Sequence, residues 1–350
     1  MNAADSSFRE PAPLVSIVVP VYNGARHLRE SLDSLLRQTF ADLEIIVVDD
    51  ASSDETATII ASYGNAVRSF RQPANRGTFE NANHGIGLAR GELIAIYHAD
   101  DVYEPEIVAR EVAFLAAHPE AGAVFCLDVF VDADNIAYGQ LELPHDLHGH
   151  ATLNYEQVLN GLLRYKNRFL MCPGAMVRAS VYREVGTYRQ DPFGIAADLE
   201  MWVRIARHHP LGVLDEHLFR YRHFHGNWTQ RYNHLRTKSE EFFAVMDHYL
   251  AEGGRPIATT RALRDYEGHR DEDRLRIAVS HYIRGDLASA RAVLSEIRAR
   301  CIARAEILQR GRLLILLAAF RVFSRLPRFS PLADFFLRRW FVKGPPRPVR

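Results

Sequence analysis

The chain has 350 residues, and its 43 lysines and arginines balance its 43 aspartates and glutamates, so the formal net charge is zero. The three cysteines stand far apart without a Cys-x-x-Cys pair, which argues against a disulfide framework or a zinc site and is typical of a reducing cytosol. Residues 1–13 are polar and lack the apolar core of a signal peptide, and the longest apolar run, 313–320, is too short to span a bilayer. We expect a cytoplasmic protein, with no nucleic acid among its partners.

Short β-branched runs alternate with helical patterns over the first part of the chain. The predicted strands, in chain order, are 15–21, 43–48, 67–71, 93–97 and 123–131. After the second strand, Ser52 and Glu55 form a capping-box signature that predicts the start of a helix. Alternating strands and helices predict a Rossmann-like, mostly parallel α/β sheet flanked by helices, with right-handed crossovers.

The pattern loosens after residue 131 into loops and short helices. Helical spacing returns at 197–209 and 235–250, and the composition changes at Gly253-Gly254-Arg255-Pro256. Beyond that point, 274–300 is predicted to form two short helices separated by Gly285-Asp286. We predict a lead at 1–13, a domain at 14–253 with halves 14–131 and 132–253, and a helical, basic amphipathic C-terminal region at 254–350.

Two acidic pairs follow predicted strands. Asp49-Asp50 closes the second strand, and Asp100-Asp101 follows the strand at 93–97. Open parallel sheets bind ligands beyond the carboxyl ends of their strands, so both pairs face one crevice if the two strands are neighbours. Paired carboxylates repel each other unless a cation lies beside them, which indicates a metal-bridged anion such as a nucleotide diphosphate.

Seven segments carry a resemblance to a known family over about the first 230 residues. They are SIVVPVYN at 16–23, LRQTF at 36–40, VVDDASSDET at 47–56, NRG at 75–77, ARGELI at 89–94 followed by HADD at 98–101, DLEMWVR at 198–204 and YRHFH at 221–225. In this order the segments resemble the inverting family-2 glycosyltransferases, which have the nucleotide-binding GT-A fold. The resemblance implies a nucleotide-binding half at 14–131 and an acceptor half at 132–253.

The same resemblance implies roles for nine residues. The implied nucleotide contacts are Pro20, Val21 and Tyr22 at the base, Asp50 as a hydrogen-bond acceptor that favours uracil, Arg76, and Asp100 at the ribose. The implied residues at the reacting end are Asp101, which holds Mg²⁺ or Mn²⁺ on the diphosphate, His225, which completes the metal or diphosphate site, and Asp198, the catalytic base.

The chemistry of sugar transfer requires these residue types. A divalent cation neutralises the charge on the departing diphosphate, and one or two carboxylates suffice to hold it. Asp198 begins a predicted helix, where the macrodipole is expected to lower its pKa and keep the base ionised. One displacement with one base inverts the anomeric centre. Ala197 stands where the family usually has an acid, which leaves open whether Glu200 shares the role of base.

Three other classes of protein fit part of the pattern. A nucleotidyltransferase would normally carry a Gly-rich loop with a Lys/Arg signature after the first strand, where this chain has Tyr22-Asn23-Gly24. A receiver-like signalling module would carry its acidic pair on the first strand and needs a downstream lysine. A catalytically degenerate scaffold that only binds nucleotide-sugars would not need Asp50, Asp101 and Asp198 together.

The C-terminal tail is strongly basic. Residues 301–350 contain eleven lysines and arginines against two acids. Aliphatic and aromatic residues join these charges at 313–325 and 335–341, which is typical of segments that lie at an anionic membrane interface. The alternative is a helix packed on the catalytic domain with a solvated basic face.

Together these features predict an inverting glycosyltransferase of the hexosyltransferase type. Its expected donor is a nucleotide-sugar, with UDP as the expected nucleotide. The expected acceptor is a saccharide or lipid-linked saccharide in cell-surface polysaccharide synthesis, and the expected location is the cytoplasm, with peripheral contact at the inner membrane.

Overall fold

A mixed β-sheet of ten strands forms the centre of the protein, in a computed structural model that describes residues 12–223, 236–304 and 310–323. The strands are β1 Val15–Val21, β2 Leu43–Asp49, β3 Arg68–Arg71, β4 Leu93–Ile96, β5 Val102–Tyr103, β6 Ala123–Val131, β7 Ala137–Gln140, β8 Thr152–Leu153, β9 Ala175–Arg178 and β10 Leu211–Arg222. Their order across the sheet is β3-β2-β1-β4-β9-β6-β10-β5, with β7 paired to β6 and β8 paired to β10.

The directions of the strands determine which strand ends lie at the same edge of the sheet. β3, β2, β1 and β4 run parallel, and β10 runs parallel to β6. β9 is antiparallel to both of its neighbours, β4 and β6, so those two strands point the same way. The carboxyl ends of the six main strands therefore lie at one edge, and the predicted mostly parallel α/β sheet is confirmed.

Helices cover both faces of the sheet and form the C-terminal region. In the described residues they are α1 Leu28–Leu36, α2 Thr56–Ala61, α3 Thr78–Leu88, α4 Ile107–Ala117, α5 Tyr155–Tyr165, α6 Ala179–Val185, α7 Gln190–Phe193, α8 Ala197–Ala206, α9 Glu241–Tyr249, α10 Thr260–Arg284, α11 Leu287–Glu296, α12 Ala299–Arg304 and α13 Arg310–Phe323.

Alternating residues of β1 pack into two hydrophobic cores on opposite faces of the sheet. Ile17 and Val19 join one core with α1 and α4, whereas Val18 joins the other with α3, α5 and α8. Strands buried on both faces read as continuous apolar runs. β1, β2 and β4 are accordingly buried along nearly their whole length.

The long helix α10 connects the sheet domain to a separate C-terminal core. Ala262 and Tyr266, near its start, pack into the core of the sheet domain. Leu275 and Val279, further along the same helix, pack with α11 and α13. The predicted division between residues 253 and 254 remains a prediction.

The turn between α10 and α11 lies where the sequence indicates it. Gly285 ends α10 with φ of 87°, and Asp286 accepts a hydrogen bond from the Ser289 backbone N–H at the start of α11. The first helix of the pair is longer than predicted, since it begins at Thr260. Among the described residues, no helix has the length and apolar content needed to cross a membrane.

Candidate functional site

Both acidic pairs lie at the carboxyl edge of three adjacent strands. β1 lies between β2 and β4, and Val21 at the end of β1 is in register with Asp49 at the end of β2. β4 ends at Ile96, and the segment from His98 to Asp101 follows it. The structure thus brings the two pairs to one edge of the sheet, where the rule for parallel sheets places ligands.

Asp50 is a buried carboxylate that holds the loop before α3. Its two carboxylate oxygens accept hydrogen bonds from the backbone N–H groups of Arg76, at 2.8 Å, and Gly77, at 2.9 Å. Gly77 adopts φ of 93°, a left-handed value that favours glycine. The side chain of Asp50 therefore draws the 75–77 loop, with the exposed Arg76, to the edge of β2.

The turn after β1 presents an aromatic side chain to solvent. Tyr22 is 52% exposed, Pro20 is partly buried and Val21 is buried in the hydrophobic core. Of the three residues implied at the base, Pro20 and Tyr22 thus have side chains that a ligand can reach. The Val21 carbonyl oxygen accepts a hydrogen bond from the Asp50 N–H at 2.8 Å, which links the ends of β1 and β2. The implied base contacts of all three residues stay a prediction.

Ser52 fixes this turn instead of capping a helix. Its hydroxyl oxygen accepts a hydrogen bond from the Asn23 N–H at 2.9 Å, and the Asn23 side chain accepts one from the Ser53 N–H at 2.8 Å. α2 begins at Thr56, and Glu55 at its N-cap makes no side-chain cap bond. The predicted capping box is therefore wrong, because a partner on the neighbouring loop takes the serine hydroxyl.

Asp101 carries a buried carboxylate oxygen without a partner. The side chain is 1% exposed; its Oδ1 accepts a hydrogen bond from the Arg222 N–H at 2.8 Å, and its Oδ2 has no hydrogen-bond partner in the described part of the chain. Burial and the adjacent charge of Asp100 raise the pKa of Asp101 well above its usual value. A cation at Oδ2 would offset both effects.

Two further ligand atoms surround that oxygen. His98, Asp100 and Asp101 each offer one ligand atom, and these atoms all lie within 4.8 Å of one another. A buried unpartnered oxygen with a second carboxylate and an imidazole beside it is a donor set that fits a divalent cation. His225, the other implied ligand, lies outside the described residues.

Arg222 links the acidic corner, the cluster of His98, Asp100 and Asp101, to two other parts of the fold by hydrogen bonds. Its guanidinium is 1% exposed and donates to the carbonyl oxygen of Asp100 at 2.8 Å, to that of Ala133 at 3.0 Å and to the Glu30 carboxylate at 2.6 Å. Together with its backbone bond to Asp101, it fixes the end of β10 against the turn after β4. Arg222 belongs to the YRHFH segment at 221–225, but no local sequence pattern indicates this role.

Asp198 lies in the first turn of α8 and shares surroundings with Asp101. Burial raises the pKa of the Cys172 thiol, and the charges of Asp198 and Asp101 add to this rise, so both carboxylates lie near this one residue. Burial raises the pKa of Asp198 to about 6. The expectation of a lowered pKa is therefore wrong, because desolvation outweighs the helix dipole and the hydrogen bond from the Leu199 N–H.

Glu200 forms a buried ion pair with Arg204. It is fully buried, and its two carboxylate oxygens accept hydrogen bonds from the Arg204 guanidinium at 3.0 Å and 2.9 Å. The Tyr249 hydroxyl donates to the same carboxylate at 3.0 Å. Of the two acids in this turn, Asp198 is the partly exposed one.

The family model of glycosyl transferase family 2 matches residues 16–186. These residues belong to glycosyl transferase family 2. The matched segment contains both acidic pairs, the 75–77 loop and β9, and it ends before Asp198.

Relatives and solved structures agree with this family. An uncharacterized glycosyltransferase of Rickettsia felis is 29% identical over 249 residues, which are 69% of this chain and 38% of the relative, so the chain spans well under half of that relative's length. TarS of S. aureus, solved in complex with UDP-GlcNAc, superposes with a TM-score of 0.58 at 17% identity, covering 93% of this chain and 92% of the TarS chain. A mannosyltransferase of Pyrobaculum calidifontis, solved with GDP-Man and Mn²⁺, gives 0.54 at 19% identity, covering 95% and 84%. The two structural likenesses show that the chain has the GT-A fold.

A further buried acid, to which no sequence motif points, lies on β6. Asp128 on β6 is fully buried, and neither of its carboxylate oxygens has a hydrogen-bond partner in the described ranges. Burial raises its pKa to about 7, and its charge contributes to the raised pKa of Asp101. The only signal in the sequence is one acidic residue inside the apolar run 123–131.

Proposed function

We propose that this glycosyltransferase moves a hexosyl group from a nucleotide-sugar, with UDP as its nucleotide, onto a saccharide or lipid-linked saccharide of a surface polysaccharide. The observation that carries the proposal is the unpartnered Asp101 Oδ2 with Asp100 and His98 beside it, at the same edge as Asp50. A divalent cation bound to the donor diphosphate would supply the positive charge that the carboxylates of Asp100 and Asp101 lack. The donors bound to TarS and to the mannosyltransferase support the nucleotide-sugar class.

The nucleotide would lie over the ends of β1 and β2. Tyr22 offers an exposed ring for the base, and each Asp50 oxygen retains a lone pair beyond its backbone bond, which can accept from the uracil N–H. Arg76 is held beside Asp50 by the backbone and can pair with a phosphate. Asp100 then faces the ribose and Asp101 faces the diphosphate.

Asp198 is the base in this proposal. Its carboxylate accepts the proton of the acceptor hydroxyl, whose oxygen forms the new bond to the anomeric carbon as the bond to the diphosphate oxygen breaks. When bound, a divalent cation neutralises the charge that develops on the leaving diphosphate. One displacement inverts the anomeric centre. Glu200 is excluded from the role because Arg204 and Tyr249 occupy its carboxylate.

Thermal unfolding with a set of nucleoside diphosphates tests the donor class. In the presence of Mn²⁺, UDP at a hundred times its dissociation constant should add roughly 2.7 kcal/mol of stability, which raises the melting temperature by a few degrees or less in a chain of this size. A response to GDP alone would indicate that the donor carries guanosine instead of uridine. No response to any diphosphate would contradict the proposal and favour a degenerate scaffold.

The C-terminal region is the proposed membrane contact of the transferase. Leu313, Leu317 and Phe320 of α13 pack into the C-terminal core, whereas Ile315 is 68% exposed and Val322 is 60% exposed. The positive excess of residues 301–350 complements an anionic lipid surface. Such contact would place the enzyme on the cytoplasmic face of the membrane, within reach of a lipid-linked acceptor.

Vesicle binding tests the membrane contact. The double variant Ile315→Glu, Val322→Glu should lose about tenfold or more in affinity for phosphatidylglycerol vesicles, since each buried aliphatic side chain contributes about 1.5–3 kcal/mol. Ile136→Glu is the matched control, because Ile136 is a 64% exposed isoleucine on the sheet domain. Equal binding by the double variant and the control would contradict the contact.

A further inference from the structure

His98 lies beside the acidic corner on a rigid backbone. Its N–H donates to the Tyr103 hydroxyl oxygen at 2.6 Å, and its carbonyl oxygen accepts from the Ser31 hydroxyl at 3.0 Å. Tyr103 is itself buried and stacked on Tyr97 at a ring distance of 4.2 Å. The main chain at His98 is therefore fixed on both sides by residues of the hydrophobic core.

A tight turn brings the His98 imidazole back over the Asp101 carboxylate. The Asp101 N–H lies 3.4 Å from the His98 carbonyl oxygen, which closes a four-residue turn. The His98 Nδ1 lies 3.7 Å from Asp101 Oδ2. This separation is too long for a hydrogen bond and is comparable with the span of two metal–ligand bonds of about 2 Å each.

Asp101 gives the second, independent sign of a ligand at this place. Its Oδ2 is the buried, unpartnered atom that the imidazole faces, while its Oδ1 is held by the Arg222 N–H. The ligand atoms of His98, Asp100 and Asp101 lie within 4.8 Å of one another. The corner thus offers one nitrogen and two oxygen donors, rather than oxygens alone.

We propose that His98 is a metal ligand of this glycosyltransferase and that its nitrogen selects a transition-metal ion, Mn²⁺ or Co²⁺, over Mg²⁺. The inference rests on the proposed function and adds the identity of the metal class to it. Mg²⁺ prefers oxygen donors, whereas an imidazole nitrogen favours transition metals, increasingly from Mn²⁺ to Co²⁺. Replacing the imidazole with a carboxylate should therefore create a site of oxygen donors that suits Mg²⁺.

Pulsed electron paramagnetic resonance of Mn²⁺ on the full chain, with UDP present, tests the ligand directly. The wild type should show ¹⁴N modulation from an imidazole, and His98→Asp should still bind Mn²⁺ but lose that modulation. In competition with Mg²⁺, the Mn²⁺ preference of His98→Asp should fall by at least about tenfold, the lower end of what a lost partner costs at a metal site. The comparison is repeated in a His225→Gln background, which removes the other implied imidazole ligand; there the nitrogen signal should remain until His98→Asp is added.

The outcomes separate this inference from the proposed function. If Mn²⁺ binds and the binding requires Asp101, but the nitrogen signal in the His225→Gln background is absent or persists after His98→Asp is added, the assignment of His98 is wrong and the proposed function stands. If the wild type binds no Mn²⁺ with UDP, both the metal site and the assignment of His98 are overturned. Loss of the signal in His98→Asp alone supports the assignment.

Discussion

Replacing Asp198 with asparagine is expected to abolish sugar transfer while leaving nucleotide binding unchanged. The substitution removes the proton acceptor and keeps the size of the side chain, and general-base catalysis contributes about 10²–10⁴-fold to a rate. Asp198 lies on α8, apart from the nucleotide edge formed by β1 and β2, so the dissociation constant of the nucleotide should not change. Transfer rate and nucleotide affinity, measured on the same preparation, check both parts.

The pH profile of the wild type provides the control for this prediction. With a pKa of about 6, Asp198 is protonated in acid and ionised above that value. The transfer rate should therefore be lost as the pH falls through about 6 and should reach a plateau above it.

Glu200→Gln should instead lower thermal stability, because it leaves the buried Arg204 guanidinium without its charge partner. Full transfer activity in Asp198→Asn would show that Asp198 is not the catalytic base.

Replacing Arg222 with methionine is expected to give the largest loss of stability. Methionine retains apolar bulk but removes the donor to the carbonyl oxygens of Asp100 and Ala133, whereas Glu30 is 43% exposed and stays solvated. Each buried hydrogen-bonding group left unpaired costs about 1–3 kcal/mol. The turn that carries Asp101 loses its tether, so metal-dependent nucleotide binding should weaken as well. Chemical denaturation and nucleotide titration measure the two effects.

Arg220 offers a matched control for this substitution. It lies on the same strand, but its side chain is 40% exposed and pairs with the equally exposed Glu104. Such surface pairs contribute about 0–1 kcal/mol, so Arg220→Met should change stability little. If Arg222→Met proved no more destabilising than Arg220→Met, the buried guanidinium would not be the link between β10 and the acidic corner.

The acidic corner was predictable because it depends on local rules. Asp49-Asp50 and Asp100-Asp101 end apolar runs, and parallel strands bring such ends to one edge whatever the details of the loops. The turn at Gly285-Asp286 is equally local, since a left-handed residue and an N-cap define it. The core-facing alternation in β1 follows from strand geometry alone.

The parts that sequence reasoning missed depend on contacts between distant residues. Ser52 matches a helix cap, but its hydroxyl accepts from Asn23, 29 residues away. The role of Arg222 requires Glu30, 192 residues away in the chain. The pKa of Asp198 depends on how deeply α8 is buried, which no local pattern reveals. The sequence therefore predicts most of the helices and strands, but it does not predict how deeply side chains are buried or which distant residues they contact.

Calorimetric titration of UDP into wild type and Asp101→Asn, each with and without Mn²⁺, tests the central claim most directly. Asparagine keeps the shape of Asp101 and removes the charge that Asp100 repels, so the variant should fold at least as stably without ligand. Wild type should bind UDP more tightly with Mn²⁺ than without it, and Asp101→Asn should lose this gain. Equal metal dependence in the two proteins would contradict a cation held by Asp101 on the donor diphosphate.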